Sequence, residues 1–329
     1  MPRNLALVAA VVVTVATAAV GWWSAAASED APVQVVAYLL LLPAPFVVGA
    51  VWGLALRRAG TLGQVATAAA LTGAAVYLIA GGDIALPVVG HAAAGLLAAL
   101  GLLRAWPANR IVGAVALALA PAVVAVALEQ PVADVLALES DRARSAAAER
   151  LPSQMTAAER EAALREYDER MADVVAMAGR IWPGVLALGL LAVAAGIVAV
   201  TAAALRWLGG WGGGLPWSRF ARWRLPFYLV WVLAAGLVMI LTRQGVVFVA
   251  GVNAILVTAA LLAVQGIAVQ VHVIGRMVGP RGQVVFWIAA GLFFAPLVVA
   301  SGALLGLLDQ WLDIRRLDAG GEPPPGAAA

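Results

Sequence analysis

The side chains in this sequence that could do chemistry are few, and most are amides and imidazoles. Thr258, Gln265 and His272 recur every seven residues and Gly251 extends the series, so they fall on nearly one helix face. Asn253 lies off that line but within the same apolar stretch, and His91 follows Pro87 and Gly90 in another. An amide or imidazole surrounded by hydrocarbon needs a hydrogen-bonding partner. That partner is either a neighbouring helix or a ligand in a pocket between helices. Asn253, Thr258, Gln265 and His91 are therefore the ligand-binding candidates, with interhelical hydrogen bonding the alternative for each.

Other chemistry is poorly provided for. There is no Cys, which removes disulfides, thiolate ligands and Cys nucleophiles, and two His are too few for a His-built metal centre. His-Glu-x-x-His, Gly-x-Ser-x-Gly and paired intramembrane aspartates are missing. The Gly-rich stretch Trp207–Arg224 lacks the Gly-Lys-Ser/Thr ending that cradles phosphate; its Trp and Arg suit a membrane interface or a docking surface for a cytoplasmic partner. Asp83 and Asp309, the carboxylates nearest the apolar runs, sit close to their ends, where a proton relay is not expected. The expectation is a protein that is not an enzyme and holds no cofactor or metal.

The elements carrying these residues follow from composition. Of 329 residues 64% are hydrophobic and only 12% charged, half the charge of an ordinary soluble domain. Lipid must solvate much of this surface. Crossing a ~30 Å hydrocarbon core takes about 20 apolar residues in a helix. Such runs fall at 5–27, 34–56, 61–80, 84–103, 111–128, 182–205, 226–242, 246–274 and 284–308. The expected fold is all-α, a polytopic transmembrane bundle of about nine spans with an extramembrane αα-hairpin. Residues 1–129 form an N-terminal half, 130–181 the hairpin, 182–317 a C-terminal half and 318–329 a disordered tail. Arg3, the apolar stretch from Leu5 to Val20 and Ala25-Ala26-Ala27 have the order of a secretory signal, but the length and Trp22-Trp23 favour a retained anchor helix.

In the hairpin, Thr156 to Glu159 reads as a capping box, and Glu161–Arg165 and Glu166–Arg170 as i,i+4 pairs. Its first helix is expected over 134–150 and its second to about Arg180. With a cytoplasmic N-terminus, the inner side collects Arg57, Arg58, Arg104, Arg110, Arg206, Arg219, Arg222, Arg224, Arg276 and Arg281. Outside lie Glu29, Asp30, Asp83 and the lone Arg243. Nine spans would also put Arg315 and Arg316 outside, against the rule, but Pro296 and Gly302 allow the last run to break or re-enter. The basic residues, all Arg, thus follow the spans, and nucleic acid is not an expected partner. Gly49-x-x-x-Gly53 and Gly302-x-x-x-Gly306 would permit close helix approach.

The order of Arg222-Trp-Arg-Leu-Pro226, Asn253, Gln265-Gly266 and Gly306-x-x-Asp309-x-x-x-Asp313-x-Arg315-Arg316 resembles the YybS-like family of predicted bacterial membrane proteins, as does Leu42-Pro43-Ala44-Pro45 with Gly53. That family is distantly similar to the S-components of energy-coupling-factor transporters, which bind a small molecule in the membrane. They dock on a partner through Ala-x-x-x-Ala patterns, such as Ala6 to Ala10 here. The resemblance implies a transporter-like, small-molecule-binding subunit of the bacterial cytoplasmic (inner) membrane. Its expected partners are membrane lipid, a small-molecule ligand and a membrane or cytoplasmic protein. The alternative is a non-transporting cell-envelope scaffold or assembly factor, acting through the hairpin and the Arg/Trp loop.

Overall fold

The computed structural model describes residues 3–26, 43–59, 61–80, 82–129, 132–152, 154–208, 211–212, 220–221, 223–243, 245–278 and 280–315. Among these residues the fold is all-helical, with ten α-helices and no strand. They are α1 (Arg3–Ala26), α2 (Ala44–Ala59), α3 (Leu62–Ala80), α4 (Gly82–Leu103), α5 (Ala108–Glu129), α6 (Val132–Arg150), α7 (Ala157–Trp207), α8 (Tyr228–Leu241), α9 (Gly245–Met277) and α10 (Pro280–Leu312). The expectations placed on residues 34–42, Glu29, Asp30, Arg219, Arg222, Arg316 and the tail lie outside the described residues.

By length and composition α5, α7, α9 and the Val285–Leu312 part of α10 can each cross a membrane. Shorter apolar helices lie at Ala6–Val20, Gly63–Leu78, Val88–Leu103 and Tyr228–Leu241. Large apolar side chains point outward from them: Leu78 is 82% exposed, Leu117 75% and Leu292 75%. Water would not tolerate so much exposed hydrocarbon, and lipid does.

Contacts sort the chain into two units. The first comprises 1–135 and 189–217. Its core is built from small and β-branched residues, with Val48, Trp52 and Ala55 of α2 meeting Ala94, Ala98 and Ala99 of α4 and Ile197 and Ala202 of α7. Small residues are needed here because the backbones nearly touch: a Cβ on Gly95 would overlap the Gly49 backbone, and one on Gly53 would come 2.7 Å from Thr201 Cγ2. The Trp52 indole N–H donates to Thr14 Oγ1 at 2.9 Å, and that hydroxyl donates to the Ala10 carbonyl at 2.7 Å. Ala6 and Ala10, the pair with the docking pattern, are buried inside this unit at 1% and 0% exposure.

The second unit comprises 136–188 and 218–329. Its α6–α7 hairpin is latched by Arg144, whose Nε donates to Asp168 at 2.8 Å. The capping box forms as expected: Thr156 N donates to Glu159 Oε2 at 2.8 Å, and Glu159 N to Thr156 Oγ1 at 3.3 Å. Glu161–Arg165 and Glu166–Arg170 pair on the exposed face.

One expectation is corrected. The second hairpin helix does not stop near Arg180; it runs on as α7 for 51 residues to Trp207. At ~1.5 Å per residue that is about 75 Å, so one helix carries both the charged hairpin arm and an apolar span. The last run is not a straight span, in line with the break that Pro296 allows. Gln283 donates to the Val271 carbonyl, and Ser301 accepts from Gln270. Eighteen helical residues would advance about 27 Å, yet both partners lie within one turn of each other on α9. The bend falls at Phe294 (φ −131°, ψ 19°), two residues before Pro296, whose ring and missing N–H disrupt the preceding turn.

Candidate functional site

The polar line on α9 is real, and it faces inward. Gly251, Thr258 and Gln265 are buried, with His272 half-buried at its end. Gln265 occupies the most crowded position. Its Oε1 accepts from Leu225 N and Gln310 Nε2, both at 2.9 Å. Its Nε2 donates to Asp309 Oδ2 at 3.0 Å and to the Gly306 carbonyl at 3.2 Å. These four bonds saturate the amide.

Asp309 links this amide to a buried charge. Arg315 Nη2 donates to Asp309 Oδ2 at 2.6 Å, with both side chains at most 1% exposed. Arg315 Nη1 donates to the carbonyls of Ala221 and Trp223, each at 2.9 Å. Helix α10 ends at Leu312, and Asp313 adopts a left-handed φ of 40°, so the chain turns and Arg315 folds back onto the helix end. Gly266, Gly302 and Gly306 let α9 and α10 approach closely enough to form the cluster. A Cβ on Gly266 would collide with the Gly302 carbonyl, and one on Gly306 with that of Leu262. The cluster thus ties the segment before α8 to the end of α10. Among the described residues Asp309 Oδ1 and Arg315 Nε have no partner. Arg315 thereby lies beside Ala221 and Trp223, which belong to the segment between α7 and α8.

Asn253 does something different. Its Oδ1 accepts from Gly184 N at 2.5 Å, and its Nδ2 donates to the Arg180 carbonyl at 2.7 Å and the Val249 carbonyl at 2.8 Å. Gly184 N–H and Arg180 C=O are the i→i−4 partners of one rung in α7. Asn253 therefore engages that rung beside Pro183, which has no N–H of its own to give. A neighbouring side chain that satisfies backbone near a proline is how helices in lipid tolerate proline. Gly at 184 is required: a Cβ there would lie 2.6 Å from Asn253 Oδ1.

Beside this joint lies an open groove of about 310 Å³ between α7, α8 and α9. It is lined by Pro183 and Ala187 of α7, Leu229 and Val232 of α8, and Asn253, Val257 and Thr258 of α9. A second cavity of about 590 Å³ lies one turn nearer the start of α9, lined by Arg180, Arg243, Gly245, Val246, Phe248 and Val249. Asn253 bonds to a residue of that cavity on either side, Arg180 and Val249. Of the four candidates, Asn253 and Thr258 share the groove, and Gln265 is saturated by protein. His91 belongs to the other unit, half-buried on α4 at the level where that helix passes Gly49.

Asp309, Gln310 and Arg315 were missed as site residues because they sit at a helix end, where charge normally means solvent. Arg243 read as an interfacial arginine, and Arg180 only as the end of the second hairpin helix. The only sequence signal for the first group was the run from Gly306 to Arg316.

An all-helical bundle with hydrocarbon-facing surfaces and a buried polar joint is an integral membrane protein. More narrowly, the chain belongs to the DUF2232 family of predicted membrane proteins, whose model matches residues 25–310. Comparison with curated proteins and with solved structures gave no match.

Proposed function

We propose that the protein is a non-enzymatic, transporter-like membrane subunit that binds a small molecule from within the bilayer, in the groove between α7, α8 and α9. The observation that carries this reading is the groove itself. It is apolar almost throughout, and Asn253 and Thr258 are the polar residues among those that line it. Ligand sites in helical bundles have this composition, a mostly hydrophobic lining with few polar groups. The arginine asymmetry supports an inner-membrane protein with a cytoplasmic N-terminus, which puts the α6–α7 hairpin and the Arg180/Arg243 cavity on the outer side. Similarity to the YybS-like proteins and to S-components is part of this proposal. The burial of Ala6 and Ala10 argues that docking on an energising partner, if it occurs, uses another surface.

The test is native mass spectrometry of the full chain extracted in mild detergent. Wild type should carry a bound small molecule, and Val257→Trp, which fills the groove, should lose it. Leu292→Trp on a lipid-facing surface should keep it. Equal retention by Val257→Trp and wild type contradicts the reading.

One observation favours the scaffold alternative. Leu138 of α6 and Val174 and Met177 of α7 are 53%, 58% and 65% exposed on the hairpin. Crosslinks to an envelope protein that vanish when this hairpin is deleted would support it; unchanged crosslinks would oppose it.

A further inference from the structure

The cavity at the start of α9 deepens the reading of the groove, on which this inference rests. Two arginines line it, Arg180 from α7 and Arg243 from the α8–α9 connection. Both side chains are exposed, and among the described residues neither has a carboxylate partner. Two unneutralised arginines on one cavity are a site for an anion, because guanidinium groups bind phosphate and carboxylate oxygens in a fork geometry. Arg243 is held at φ 50°, a backbone region that favours glycine.

The rest of the lining decides what kind of anion. Val246, Phe248 and Val249 make the remainder apolar, which a free hydrophilic anion does not need. One helical turn further along α9 and α7 lies the Asn253 groove, with hydrocarbon walls. Charged groups at a span end with an apolar trough running inward match a molecule with an anionic head and a hydrocarbon tail. We infer that the ligand class is an anionic amphiphile, its phosphate or carboxylate head between Arg180 and Arg243 and its chain along Val249, Asn253 and Val257. A lipid of the surrounding bilayer is the source to which the geometry points. Such a molecule reaches the site laterally, through the open side of the groove.

The experiment titrates the full chain in a neutral sugar detergent with three probes, read by native mass spectrometry. They are dodecyl phosphate, dodecylphosphocholine of the same chain length, and inorganic phosphate. Dodecyl phosphate should bind more tightly than the zwitterion. Arg180→Gln and Arg243→Gln should each weaken it roughly fivefold, as expected for one interfacial arginine against an anionic lipid. Both arginines are exposed, and circular dichroism is the control that the variants keep their helices. Inorganic phosphate should bind far more weakly than the alkyl phosphate. Equal affinity for the two alkyl probes, or arginine variants indistinguishable from wild type, overturns the headgroup assignment and leaves the groove standing. Inorganic phosphate as tight as dodecyl phosphate overturns the amphiphile in favour of a free-anion site. Binding of neither alkyl probe removes the groove reading itself.

Discussion

Asn253 and Gly184 meet at 2.5 Å, the side-chain oxygen of one accepting from the backbone N–H of the other. With the Arg180 carbonyl on the same amide, this contact joins α9 to α7 beside Pro183. Asn253→Ala should remove that interhelical joint and cost about 1–2 kcal/mol. Gly184→Ala should act in the same direction by pushing the amide away. Because both changes break one joint, the double variant should lose less than the sum of the two. Thermal unfolding in detergent measures all three.

The Asp309–Arg315 pair should respond asymmetrically. Asp309→Asn or Arg315→Gln leaves a buried charge uncompensated, a loss of about 3 kcal/mol or more. Asp309→Asn/Arg315→Gln together removes both charges and should recover part of that loss. Hydrogen exchange at the Leu225 amide, which donates to Gln265, should speed up in either single variant.

Close packing of α9 on α10 gives a paired prediction with its own control. Gly306→Ala should destabilise by about 1–3 kcal/mol, the usual cost of overpacking, since the Leu262 carbonyl cannot retreat from its Cβ. Gly291→Ala on the same helix has nothing within 4 Å of its new Cβ and should cost nothing. Unfolding midpoints for the two variants make the comparison.

The hairpin has one pH-sensitive feature. Hydrogen bonds from the Thr156 backbone, then from its side chain, hold the Glu159 carboxyl below its ordinary value of 4.5. A depressed folded-state pKa contributes stability that is present above the ordinary value and is lost as pH falls through the lowered one. The first turn of α7 should therefore fray only at acid pH, seen as faster exchange of the Glu159 and Arg160 amides. Pro substitution at Thr156, which deletes the backbone donor, should abolish the pH dependence.

Much of the bundle was legible because hydrophobic run length is a direct readout of bilayer thickness. The apolar runs became helices, and the heptad line through Gly251, Thr258 and Gln265 landed on a buried face. What the runs could not carry was termination. Ile181, Trp182 and Pro183 looked like a boundary, and only a distant Asn253 makes them the middle of a helix. Asp309 likewise looked solvated at a helix end until Asp313 turned the chain and brought Arg315 back to it. The first depends on a partner 69 residues away, the second on one 6 residues away across a turn of the chain. The groove was invisible for the same reason, since its three walls come from three separate helices.

The groove is tested most directly by photo-crosslinking in the native membrane, with a benzophenone amino acid replacing Ala187 in the groove or Leu292 on the lipid face. The adduct at Ala187 should be dominated by one amphiphile with an acidic head, while that at Leu292 follows the bulk lipid composition. Adducts of the same composition at both positions would show that α7, α8 and α9 enclose nothing but ordinary bilayer.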